Sequence, residues 1–109
     1  MKTTEELVAT ALETSRPIAF LQCNGLYVFI EAKDADVPLS FGRRLTLQRL
    51  CDAIQQGGRD SVLLVVNPGS GERIDFAEAP LSEYRWQYRW HEGNGEHLRE
   101  VVNELEFHF

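Results

Sequence analysis

Three groups of residues have types and spacings that could do chemistry. Glu31-Ala32-Lys33 sets a carboxylate and an ammonium two positions apart, on one face of an extended segment. A carboxylate can hold a divalent cation, and a nearby lysine can orient or activate a water for hydrolysis. Tyr84, Trp86, Tyr88 and Trp90 recur at every second residue, with Arg85, Gln87 and Arg89 between them. Read as one strand, the segment has an aromatic face and a basic, polar face. Tyr and Trp anchor protein interfaces. The alternative is an inner sheet face, whose O–H and N–H groups then need partners. Glu92, Glu96, Glu100 and Glu104 follow at intervals of four. The last three fall on one face of a helix, away from its apolar side, and form a docking surface for a basic partner.

Other combinations carry less. His91, Glu92 and His97 are metal ligands by type, but they straddle Gly93-Asn94-Gly95 at a spacing foreign to zinc sites. Gly69-Ser70-Gly71 follows an apolar run, yet no Lys-Ser/Thr comes after it, so it reads as a turn and not a phosphate loop. Cys23 and Cys51 stand singly in apolar surroundings without CxxC spacing. They read as free thiols of a protein in a reducing, cytoplasmic compartment. No cofactor is expected.

The elements that position these residues follow from periodicity. Thr3 and Glu6 make a capping box for a helix over 3–14, which Pro17 stops. Asn24-Gly25 between the apolar runs 18–23 and 26–32 signals a tight hairpin. Residues 33–42 read as a loop. Leu47, Leu50, Cys51 and Ile54 define a helix over 44–56, closed by Gly57-Gly58. Residues 61–67 read as a buried strand. Strand, helix and strand in this order suggest a parallel crossover. A weak strand over 73–77 and a strong one over 84–90 come next. A helix over 96–104 capped by Asn94 follows, and a short alternating end, Leu105–Phe109, offers an edge strand for homodimer pairing. The expectation is an α+β single domain spanning 1–109, with a mixed β-sheet of about five strands, an N-terminal hairpin and about three helices.

With the helix, the hairpin ending in Ile30-Glu31-Ala32-Lys33, the second helix and the strand in place, residues 3–67 resemble the PD-(D/E)XK nuclease superfamily. The resemblance implies a metal-dependent nuclease, or an inactive relative, with Glu31 as a ligand to Mg²⁺ or Mn²⁺ and Lys33 beside the attacking water. Gln48 resembles the glutamine that some members carry in the following helix. The family's upstream acid has no counterpart, because Pro17 to Ile30 contains no Asp or Glu. Glu13 and Asp34 are the remaining carboxylates for that place.

Composition bounds the alternatives. The chain has 109 residues, 43% hydrophobic and 26% charged, with a net charge of −6. These are the values of one globular domain. The longest apolar runs, Leu26–Ile30 and Val62–Val66, fall far short of the ~20 residues of a membrane span. Only the middle third is net positive, through Arg43, Arg44, Arg49 and Arg59, which disfavours nucleic acid as a partner. The leading expectation is therefore a small acidic, non-enzymatic protein-interaction module. It would bind a protein with a basic surface through Tyr84, Trp86, Tyr88, Trp90, Glu96, Glu100 and Glu104. By analogy it would be an accessory or inhibitor protein of a phage or mobile element. The nuclease is the alternative.

Overall fold

The computed structural model describes residues 19–23, 25–33, 39–67 and 76–108. They form an α+β domain around a mixed sheet of five strands in the order β1-β2-β3-β4-β5. β1 (Ala19–Cys23) and β2 (Leu26–Ala32) are an antiparallel hairpin in which Cys23 faces Leu26, so a two-residue loop joins them. β3 (Asp60–Val66) lies parallel to β2, reached through the helix α1 (Phe41–Gln56). β4 (Leu81–Trp86) and β5 (Arg89–Glu92) complete the sheet antiparallel. A 3₁₀ turn, Phe76–Glu78, precedes β4, and the helix α2 (Leu98–His108) ends the described chain. The helix expected over 3–14 lies outside the described residues. Among the described residues no helix is long and apolar enough to cross a membrane.

Both faces of the central strands are covered, as their continuous apolar sequences require. Tyr27, Phe29, Leu63 and Val65 pack against Leu47, Cys51 and Ile54 of α1. Val28, Ile30, Val62 and Leu64 belong to the opposite core, with Leu98 and Val101 of α2. α1 begins three residues before the expected position. Ser40 caps it, its hydroxyl accepting from the Arg43 N–H at 3.3 Å, so the first turn forms through Gly42. The far end is a Schellman cap. Gly58 adopts a φ of +89°, Arg59 N–H donates to the Ile54 carbonyl, and Gly58 N–H donates to that of Gln55.

Four expectations are corrected. Residues 84–90 are not one strand. The chain reverses at Gln87-Tyr88, with φ of 49° and 68°, and Trp86 faces Arg89 across a two-residue turn. Positive φ at both centres is the type I′ geometry that suits the sheet's twist, here built without Asn or Gly. Second, α2 starts at Leu98 and not beside Asn94, whose side chain instead accepts from the Glu96 N–H at 3.0 Å. Third, the end of the chain through His108 is helical, so the proposed edge strand, and the homodimer pairing built on it, lose their basis. Fourth, residues 73–75 lie outside the description, and 76–78 form the 3₁₀ turn instead of a strand.

The turn makes a direct prediction. Residues with a Cβ are strained at positive φ, by about 1–2 kcal/mol each. Gln87→Asn combined with Tyr88→Gly is expected to stabilise the domain by about 1 kcal/mol, after the extra flexibility of glycine in the unfolded chain is subtracted. A urea-denaturation midpoint that does not rise would contradict the turn geometry.

Candidate functional site

The hairpin divides the aromatic series between the two faces of the sheet. Trp90 pairs with Arg85, and both face α1. Tyr84 pairs with His91, and Tyr84 and Trp86 face α2. Tyr88 sits exposed at the tip. The four residues therefore form no common surface.

On the α1 face the polar side chains are committed to one another. Arg43 donates to Glu31 at 2.6 Å and Arg44 to Glu83 at 2.9 Å. The Arg44 guanidinium also lies 4.0 Å from the centre of the Trp90 ring, and the Trp90 indole N–H donates to Gln48 at 2.9 Å. Arg85 grips Asp52 with two bonds, of 3.0 and 2.7 Å. α1 is thus fastened to the sheet by a row of arginine–carboxylate pairs flanking its apolar stripe. This absorbs Arg43 and Arg44, half of the basic patch read from the sequence. It also removes Arg85 from any nucleic-acid surface shared with Tyr84 and Trp86.

The Glu31–Lys33 pair sits at the rim of the same face. Glu31 is buried and bound to Arg43, and the Lys33 N–H donates to the Val66 carbonyl, prolonging the β2–β3 ladder. Among the described residues it is a cation, Arg43, that pairs with Glu31. Gln48 serves Trp90. Glu13 and Asp34 lie outside the described residues, among which no three His, Cys, Asp or Glu side chains gather to hold a metal. His91 stacks on Tyr84 with ring centres 4.9 Å apart, and His97 bonds Glu78 at 2.8 Å.

Cys51 is a buried free thiol within 3.2 Å of the Ser61 hydroxyl. Burial, the largest influence, pushes it up to about 11 from an ordinary 9.0, and Ser61 pulls only partly the other way. A thiol this reluctant to ionise is no nucleophile. Between those two values the folded state holds a proton that the unfolded state releases. The associated stability is therefore complete below pH 9 and lost as pH rises toward 11. Cys51 in the native protein is expected to resist iodoacetamide at neutral pH and to react once denatured, read by mass spectrometry of its peptide. Rapid native labelling would refute the burial.

The other face holds a cleft of about 400 Å³ between α2 and the β3–β4 surface. Val62, Leu64, Leu81, Tyr84, Trp86, Val101 and Leu105 supply its apolar and aromatic walls. Glu92, Glu96, Glu104 and Asn94 supply the polar lining. Glu96 lies in the loop ahead of α2, its carbonyl accepting from Leu81 N–H at 2.8 Å, and so reaches the cleft from the strand side while Glu104 reaches it from the helix. Glu100 is exposed on the first turn of α2 and does not line the cleft. Arg89 shares this face across from Trp86 but stands exposed at the sheet edge, outside the lining.

Of the seven residues expected to bind a partner, the structure unites Tyr84, Trp86, Glu96 and Glu104, and leaves Tyr88, Trp90 and Glu100 elsewhere. Reading the sequence alone missed Glu92 as a cleft residue, though the spacing by four already included it. It also missed Val62, Leu64 and Asn94, whose apolar runs and turn chemistry signalled only core and loop.

The electrostatics single out this cleft. Glu31, Asp52, Glu78 and Glu83 each bond an arginine. Among the described residues, no Lys, Arg or His side chain pairs with Glu92, Glu96 or Glu104. No known family, curated protein or solved structure matches the chain.

Proposed function

We propose that this chain is a non-enzymatic protein-interaction module that docks a basic segment of a protein partner in the cleft between α2 and the sheet. One observation carries the reading. The aromatic residues Tyr84 and Trp86 and the acidic residues Glu96 and Glu104, with which no described Lys, Arg or His side chain pairs, line one concave surface. Aromatic walls provide buried area at little entropic cost, and the carboxylates select for positive charge and steer approach. The net charge of −6 extends that steering over the whole surface. The role fits an accessory or inhibitor protein of a phage or mobile element acting in a reducing compartment such as the cytoplasm, where Cys51 would stay free. Among the described residues Glu31 is paired with Arg43, which gives the nuclease alternative less support than the docking reading.

The test is charge reversal in the cleft. Glu96→Lys with Glu104→Lys replaces attraction by repulsion at two sites of a partly screened surface. At about 1 kcal/mol per site, the affinity for a captured partner should fall roughly 30-fold. Binding should survive nuclease treatment and weaken as salt shortens the Debye length. Reversing Glu100, outside the cleft, should matter far less. Equal losses from Glu100→Lys and the cleft pair would overturn the site, as would recovery of nucleic acid in place of protein.

A further inference from the structure

In the described sheet β5 has a neighbouring strand on one side only. The alternation of its backbone fixes which groups face the open side. The Gly93 N–H donates inward to the Ser82 carbonyl at 2.8 Å, and Arg89 pairs with Trp86 across the two-residue turn. Arg89, His91 and Gly93 therefore aim their backbone groups at β4, while Trp90 and Glu92 aim theirs outward. Among the described residues no backbone group bonds the main chain of Trp90 or Glu92 from that side. Such an edge is a template for a further strand. Glu92 is exposed there. It borders the cleft, but its side chain shares the α1 face with Trp90 and lies opposite Glu83, a like charge. Glu83 is offset by Arg44, whose guanidinium lies 4.0 Å from the centre of the Trp90 ring. Among the described residues no cation pairs with Glu92.

We propose that the β5 edge binds a second copy of this chain, β5 pairing antiparallel with β5 about a two-fold axis at His91, so that the sheet continues across both copies. The backbone sets the register. Outward residues must face outward residues, so Trp90 of one copy stands opposite Glu92 of the other and exchanges both backbone bonds with it. Sliding the strands one step further sets Glu92 against Glu92. Sliding them one step back sets Glu92 against Tyr88, whose φ of 68° takes it out of the strand. Only the register centred on His91 is complementary. A two-fold axis normal to the sheet keeps both α1 helices on the same side. Each Glu92 then lies beside Trp90 of the other copy and the Arg44 guanidinium over that ring. Arg44 bonds Glu83 through one nitrogen and has further N–H donors for this second carboxylate. Its side chain is 37% exposed, so the approach is open. The exposed Arg89 meets Gly93 of the other copy, which has no side chain to obstruct it. The contact spans only residues 89–93, which places the dimer in the small, transient class of interface.

The experiment combines sedimentation equilibrium with NMR spectra of the full-length, nitrogen-15-labelled chain as its concentration is raised to about 1 mM. The mass should climb toward twice that of one chain, with a Kd on the order of 100 μM, as suits a short contact. The Trp90 and Glu92 amide signals should move with concentration. The amide of Gln22 in β1, at the opposite edge of the sheet, should not. Glu92→Pro deletes an outward N–H at a place where an edge strand tolerates proline. It should weaken association by about ten-fold or more while the spectrum of the folded single chain is kept. Glu92→Arg faces Glu83 in its own copy and Arg44 in the other. It too should weaken association about ten-fold, and it decides the matter if the proline variant unfolds. A single-chain mass at about 1 mM would overturn the proposal, since even a transient dimer should be populated there. A dimer that Glu92→Arg leaves intact, or whose concentration-dependent shifts fall on β1, would overturn it equally.

Discussion

Replacing Arg85 with alanine is expected to destabilise the domain by about 3 kcal/mol, the low end for breaking a buried ion pair. The Arg85 side chain is 9% exposed and that of Asp52 20%, and two bonds join them between β4 and α1. Truncation strands the Asp52 carboxylate against the α1–sheet core with no cation and opens space beneath Trp90. A domain of this size has a total stability of about 5–15 kcal/mol, so the loss would be plain in a urea transition. The double substitution Arg85→Met with Asp52→Leu removes both charges and fills the space. It should recover most of the stability, because the desolvation cost vanishes along with the attraction. A loss below about 1 kcal/mol from Arg85→Ala would mean that the pair behaves as a surface contact. The rivet between α1 and the sheet would then have to lie elsewhere in the arginine row.

The second large effect is expected at Gly93. A Cβ there would collide with the Leu81 carbonyl group and crowd the Ser82 backbone, because β5 leaves the sheet by crossing tightly over the start of β4. The Gly93 N–H donates to the Ser82 carbonyl at 2.8 Å, and the β3–β4 register slips between Val65 and Val66 at the same level. The obstacle is main chain, which cannot swing aside as a flexible side chain would. Gly93→Ala should therefore cost about 3 kcal/mol, the upper part of the range for overpacking. It should also displace the loop that carries Asn94 and Glu96, and so weaken partner binding beyond the loss of fold. Gly42→Ala is the control. It sits in the first turn of α1, where an added Cβ meets open space, and should be neutral or slightly stabilising. Similar stability for both variants would show that the strand crossing is looser than described.

Much of the scaffold was legible because local signals agreed with tertiary needs. Leu47, Cys51 and Ile54 announced the buried face of α1, and Gly57-Gly58 its end. Val62–Val66 read as a strand buried on both sides and is one. The aromatic segment misled for a physical reason. The sequence alternates from Tyr84 to Trp90 without a break, but the two-residue reversal sets Trp86 opposite Arg89 and so moves Trp90 to the other face of the sheet. Gln87-Tyr88 carries none of the Asn or Gly that normally marks such a turn. Glu96 misled because spacing by four extends a helical pattern backwards past its true start, which the Pro80–His97 bridge and the Leu98 N–H bond to Ala79 set at Leu98. The cleft itself could not be read from spacing at all. It depends on which face of the sheet α2 covers, and on a loop that brings Glu96 opposite Glu104.

The most direct measurement of the docking claim is the position of the partner on the surface. A photo-crosslinking amino acid would be placed at Asn94, on the cleft, and separately at Arg49, exposed on α1 across the sheet. Each bait would be incubated with the captured partner, irradiated, and its adducts mapped by mass spectrometry. The account predicts adducts from position 94 that fall within a lysine- and arginine-bearing segment of the partner, and none from position 49. Adducts from position 49 alone, or from both positions equally, would contradict it and move the interface off the cleft.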